Sequence, residues 1–195
     1  MRTLLIDYGS GNLRSAAKAL EAAGYQVTVS ANPSDAPTAD LLVLPGQGHF
    51  GQVMQSFQTS GFQERVLQHI ADRRPFLGIC VGMQILYQAS EEAPGQPGLG
   101  LIPGTIRRFR AHRVPQMGWN TVTFQAPFTA LSERYFYFVH SYFGPVGPGS
   151  VGITDYEGTA FTAAYCHHNL VAPQFHPEKS GAAGLALLEA IRAYY

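Results

Sequence analysis

Residues 76–86 read Phe76-Leu77-Gly78-Ile79-Cys80-Val81-Gly82-Met83-Gln84-Ile85-Leu86. An apolar strand, Phe76 to Ile79, runs through Gly-x-Cys-x-Gly into a helical pattern at Met83, Ile85 and Leu86. A strand that turns this sharply into a helix is the joint of an α/β sheet, and its glycines are there because the neighbouring backbone leaves no room for side chains. Working outward, the N-terminal side repeats the same rhythm. Thr3 to Ile6 predicts a strand that ends at Asp7-Tyr8-Gly9-Ser10-Gly11. Asn12 then caps a helix with Leu13, Ala16, Ala17 and Leu20 on one face, and Gly24 stops it. Val27–Val29 and Leu41–Leu44 predict two further strands, the second continuously apolar as a strand covered on both faces should be. Phe62, Val66, Leu67 and Ile70 give a helical stripe.

Beyond about Thr105 the pattern changes. Thr121–Phe124, Phe136–Val139, Ala160–Tyr165 and Leu170–Phe175 are short strands joined by Gly/Pro turns, and Gly184–Tyr194 closes the chain as a helix carrying Leu185, Leu188 and Ile191 on one face. The expected architecture is therefore α/β. A mostly parallel central sheet is flanked by helices and extended by antiparallel strands in the C-terminal half, as one domain over residues 1–195.

The 195 residues are 46% hydrophobic and 13% charged, which asks either for a sheet buried on both faces or for apolar surface covered by a partner. Thirteen basic residues balance thirteen acidic ones, a poor footprint for nucleic acid or an anionic membrane. No apolar run approaches a membrane span, and the N-terminal run ends at Asp7, too short for a signal-peptide core. Two cysteines, Cys80 and Cys166, do not make a disulfide framework, so a reduced, cytoplasmic setting is expected.

Chemistry concentrates at two segments. Cys80 at the elbow would stand at a helix N-terminus that favours its thiolate; read alone, it is equally a small buried hydrophobe. His176-Pro177-Glu178 offers a base with a carboxylate two residues on, and an extended backbone would turn both side chains to one side. Glu178 would hold one ring nitrogen and leave the other for the thiol. Pro45-Gly46-Gln47-Gly48-His49-Phe50 follows the Leu41–Leu44 strand. Its glycines free backbone N–H groups of Gln47 or Gly48 to join that of Val81 in an oxyanion hole. Of the remaining histidines, His69 is expected on the solvated side of a helix and His140 in a structural hydrogen bond. Cys166 lacks flanking glycines or a base and reads as structural. No zinc spacing is present, so neither metal nor cofactor is expected.

At these residues the chain resembles a known family. Gly78–Gln84, Pro45–Gly48 and Gln174-Phe175-His176-Pro177-Glu178-Lys179-Ser180 are similar to the class I (triad) glutamine amidotransferases, which have a flavodoxin-like fold. Asp7–Leu13, Pro115-Gln116-Met117-Gly118-Trp119-Asn120 and Phe138–Tyr142 narrow the resemblance to the glutaminase subunits of imidazole glycerol phosphate synthases. The resemblance implies Cys80 as nucleophile, His176 as base and Glu178 as its orienter. It implies Gly46, Gln84, Ser141 and Tyr142 as contacts to L-glutamine, and a loop at Gln47 and Gly48 that reorients on activation. It further implies that ammonia passes to a (β/α)8-barrel synthase subunit in a heterodimer, with Asn12, Met117, Trp119 and Lys179 as candidate partner contacts. A glutaminase of another class I enzyme such as anthranilate synthase, a cysteine hydrolase and an inactive binding module are the alternative readings.

Overall fold

The computed structural model describes residues 1–9 and 11–195. Ser10, within the Asp7–Leu13 segment, lies outside the described residues. In chain order the elements are β1 (Arg2–Ile6), α1 (Leu13–Ala22), β2 (Gln26–Ser30), β3 (Leu41–Leu44), α2 (Phe50–Thr59) and α3 (Phe62–Ala71). Then come β4 (Phe76–Gly78), α4 (Val81–Gln84), β5 (Tyr87–Ser90), β6 (Ile102–Arg108), β7 (Gln116–Phe124), β8 (Arg134–His140) and β9 (Tyr142–Phe143). The chain finishes with β10 (Ser150–Tyr156), β11 (Thr159–His167), β12 (Leu170–Pro173) and α5 (Gly181–Tyr194).

Nine strands form one sheet in the order β2-β1-β3-β4-β12-β11-β10-β7-β8. The pairs from β2 through β12 are parallel, and those from β12 to β8 antiparallel. The sequence predicts this division, and the apolar strands explain the parallel half: every residue of β3, β4 and β12 is buried. A second, three-stranded sheet, β5-β6-β9, was not expected. Its strands carry exposed polar positions and a glycine, which hide the two-residue alternation.

The helices are cut as their caps dictate. Asn12 accepts from the Ser15 N–H (3.3 Å) at the start of α1, and Gly24, at φ 83°, ends the connection beyond it. α2 was also not anticipated, although Phe50, Val53, Met54 and Phe57, all buried, stand at i, i+3, i+4 and i+7. In α5 the buried face is Gly184, Leu187, Leu188 and Ile191, so Leu187 takes the place expected of Leu185. His69 corrects another expectation. It is 3% exposed, with Nε2 2.8 Å from the Pro75 carbonyl, because α3 turns that side onto the chain entering β4.

Candidate active site

Three adjacent parallel strands deliver the site at their carboxyl ends, where open α/β sheets place ligands. β3 runs into the Pro45–His49 loop, β4 into Cys80, and β12 through Gln174 and Phe175 to His176. The Ile79 N–H binds the Leu44 carbonyl (2.9 Å) and the Cys80 N–H binds the Pro173 carbonyl (2.9 Å), so the backbone ladder locks the three exits together.

Cys80 sits at φ 56°, ψ −109°, a conformation that L-residues rarely adopt. The flanking glycines make it possible. A Cβ on Gly78 would lie 2.8 Å from the Gly82 carbonyl oxygen, and one on Gly82 would collide with the Leu44 carbonyl. The helix that follows is a single turn, Val81–Gln84, shorter than the sequence pattern suggested. The helix dipole therefore contributes little to the thiol. As the first residue of that turn, Val81 keeps its N–H out of the helical ladder.

His176 Nδ1 and Glu178 Oε1 are 2.7 Å apart, with side chains only 3% and 5% exposed. The pairing was expected from an extended run, but only His176 is extended. Pro177–Lys179 is a tight 3-10 turn that folds Glu178 back onto the ring. The His176 N–H binds the Tyr137 carbonyl (2.9 Å), and the Ser180 hydroxyl donates to the His176 carbonyl (2.7 Å). Among the described residues, Nε2 of His176 has no hydrogen-bond partner. Burial opposes a charged imidazole, yet the neighbouring Cys80 thiolate and then Glu178 outweigh it and raise the His176 pKa above its ordinary value. The arrangement favours a protonated imidazole beside Cys80.

A cavity of about 360 Å³ opens over these groups, large enough for an amino acid. Gln47, Gly48, Val81, Gln84, Ser141 and Tyr142, all expected at the site, line it together with Cys80 and His176, and so does Lys179, which was expected at the partner surface instead. Gly46 does not. It is buried against the backbone of Val81 and Gly82, so it shapes the loop instead of facing a ligand. Gly48, at φ 111°, has open space around it.

Three residues of the site escaped the sequence reading. Glu92 lines the cavity, and its Oε2 accepts from the Phe50 N–H (2.7 Å) at the start of α2. His140 is a cavity wall as well as a structural residue, its Nδ1 2.8 Å from the Tyr142 carbonyl and its Nε2 3.0 Å from the Gln116 side-chain amide. Gln174 is fully buried, and its Nε2 lies 3.7 Å from Cys80 Sγ. Glu92 carries no sequence signal, being one acid of a Glu91-Glu92 pair. Gln174 stands two residues before His176, and that proximity could have drawn attention to it.

Of the expected partner contacts, Lys179 lines the cavity while Asn12, Met117 and Trp119 fall outside it. Met117 and Trp119, 65% and 55% exposed, project from β7 beside Tyr135 of β8, which is 60% exposed. Trp119 packs edge-on against Tyr137 (5.9 Å), and Lys179 Nζ lies 6.0 Å from the same ring. That apolar face therefore reaches the turn holding Glu178. Asn12 is half-buried at the start of α1. No group of His, Cys, Asp and Glu among the described residues is arranged to hold a metal ion, and no helix among them is long and apolar enough to cross a membrane.

Comparison with known proteins identifies the family. The sequence profile of the family described as glutamine amidotransferase class-I matches residues 4–190. The imidazole glycerol phosphate synthase subunit HisH of Thermus thermophilus is 65% identical over 195 residues, covering 100% of this chain and 98% of that protein. The imidazole glycerol phosphate synthase hisHF of Emericella nidulans is 41% identical over 203 residues, covering 95% of this chain but 37% of its own length. Among solved structures, a chain of PurLQS from Thermotoga maritima superposes with a TM-score of 0.76 at 19% identity, covering 99% of this chain and 98% of that one. At that identity the match speaks for the fold alone.

Proposed function

Because the chain belongs to the class I glutamine amidotransferase family, we propose that it is the glutaminase subunit of an imidazole glycerol phosphate synthase, working through Cys80, His176 and Glu178. It is a glutamine amidotransferase of histidine biosynthesis. The observation that carries the catalytic assignment is a buried His176, backed by Glu178, that shares one cavity with a thiol held on a strained elbow.

Cys80 sulfur attacks the side-chain carboxamide carbon of L-glutamine. The tetrahedral oxyanion is held by the Val81 N–H and an N–H of Gln47 or Gly48. His176 gives its proton to the departing ammonia, leaving a thioester on Cys80. The same imidazole then takes a proton from water, which attacks the thioester and releases glutamate. One glutamine and one water become one glutamate and one ammonia. Gln84 has spent its Nε2 on the Tyr142 carbonyl (2.9 Å) and on Gln174 Oε1 (3.1 Å), so it offers substrate its carbonyl oxygen. With the Glu92 carboxylate, that oxygen suits the substrate's α-ammonium group, while Ser141 and Tyr142 close the wall.

The ammonia is delivered to a (β/α)8-barrel synthase subunit, and the apolar face of Met117, Trp119 and Tyr135, with Lys179 beside it, is the surface for that partner; Asn12 is a further candidate contact. The fused hisHF relative, more than twice as long as the segment matched here, supports a partner activity on a companion polypeptide. Glutamate release by wild type and Cys80→Ala, each alone and with the barrel synthase and its nucleotide ligand, tests the reading. Release that appears in the ligand-loaded complex and vanishes in Cys80→Ala is expected. A folded, associated complex that releases no glutamate would overturn it.

A further inference from the structure

Gln174 has a place in the site that neither its sequence position nor the triad explains. A primary amide fully removed from water is costly unless its donors and acceptors are used. Here they are used on one side by Gln84 and on the other by the nucleophile.

The direction of that amide is forced. The Tyr142 carbonyl can only accept, so Gln84 must turn its NH2 toward it at 2.9 Å. The same NH2 meets Gln174 3.1 Å away, so Gln174 must present its oxygen there. Its own NH2 then has one remaining direction, toward Cys80 Sγ at 3.7 Å. A flipped amide would set two donors face to face and place an oxygen against a thiolate. The backbone fixes the reach as well as the direction. The Cys80 N–H is bonded to the carbonyl of Pro173, the residue before Gln174, and the Gln174 N–H is bonded to Ala163 of β11 (2.8 Å).

We propose that Gln174 is a catalytic donor to the nucleophile, its side-chain N–H holding the Cys80 thiolate in place for attack on the carboxamide. This rests on Cys80 being the nucleophile. The single turn of α4 is too short to stabilise the thiolate by itself, and a charged acceptor strengthens an N–H bond at its sulfur. The step adds no reactant: the N–H of Gln174 stays on nitrogen throughout, and the proton balance remains with His176.

Gln174→Leu removes the donor at similar volume, and Gln174→Glu keeps an oxygen for Gln84 while removing the N–H. The measurement is the rate of iodoacetamide labelling of each cysteine at neutral pH, read by mass spectrometry in wild type, both variants and Cys80→Ala. Ultraviolet thiolate absorbance and kcat against KM are followed in the complex with its synthase partner. Both variants should label Cys80 at least about tenfold more slowly, with a weaker thiolate band and a fall in kcat at little-changed KM. A merely structural Gln174 would lower thermal stability and leave labelling of the folded protein alone. Labelling within about twofold of wild type in whichever variant folds overturns the proposal. In wild type, Cys166, buried and with its thiol pKa raised by that burial, provides the slow reference. Should Cys80 label no faster than Cys166 in wild type, the nucleophile assignment itself falls, and the role of Gln174 with it. Those two failures are thus distinct.

Discussion

At the scale of single residues, the proposed nucleophile is held by a backbone that its own side chain disfavours. Cys80 adopts φ 56°, ψ −109°, where a Cβ is strained and glycine is not. Replacing a buried cysteine with alanine or glycine removes the thiol in both cases, but only alanine keeps the strain. Cys80→Gly should therefore be more stable than Cys80→Ala by about 1 kcal/mol, the reverse of the usual order of these two residues. Urea denaturation of the two inactive proteins measures this, and an alanine protein as stable as the glycine one would mean that the elbow stores no strain. Glu178 works differently, through the ring it holds at 2.7 Å. Glu178→Gln keeps the shape but removes the charge that favours imidazolium, so kcat for glutamate release should drop at least about a hundredfold with KM nearly unchanged. An equal rise in KM would point to substrate binding as the role of Glu178.

At the scale of elements, β7 shows what sequence patterns reveal and where they stop. The Pro115–Asn120 segment reads equally as a core strand or as a partner surface; it forms a strand that pairs with β8 over Gln116–Val122 while its alternate residues Met117 and Trp119 face outward, the face proposed above for the partner. Trp119→Ala should leave thermal unfolding of the free subunit almost unmoved, because the side chain is already 55% exposed. Its loss at a desolvated interface should weaken binding to the synthase about thirtyfold or more. Titration calorimetry decides, and unchanged affinity would remove this face from the interface. The Cys80 elbow was legible because a strand, two glycines and a cysteine have few geometries open to them. The His176–Glu178 pair was legible for a partly mistaken reason, since spacing two apart also serves a tight turn after an extended residue. β5, β6 and β9 were not legible because their strands are short, mixed in polarity and pinned by contacts distant in sequence. Glu92 and His140 join the site the same way, through folding alone.

At the scale of the whole molecule, the low charge and high apolar content have two structural outlets. One is the parallel half of the sheet, where β3, β4 and β12 are buried throughout; the other is the outward face of β7 and β8. A nine-stranded sheet covered this well also traps histidines, and that sets a dependence of stability on pH. Burial pushes His140 down to about 4, with the positive His176 adding to it and the Tyr142 carbonyl opposing. Burial likewise lowers His69 to about 4, against the Pro75 carbonyl that its ring meets. The unfolded chain takes up these protons near pH 6.5 while the folded chain refuses them until about 4, so stability is full above 6.5 and declines as pH falls between those values. For fully enclosed His140 alone the loss approaches roughly 3 kcal/mol. His176 has the opposite sign: its raised pKa adds stability that is full below pH 6.5 and is lost only as pH rises through the higher folded value, so it contributes no slope on the acid side. Urea midpoints should therefore fall steadily from about pH 7 to about pH 5, and His69→Gln, which cannot take up a proton, should flatten that fall. A midpoint constant across this range would mean that His69 and His140 bind protons inside the folded protein as readily as outside it.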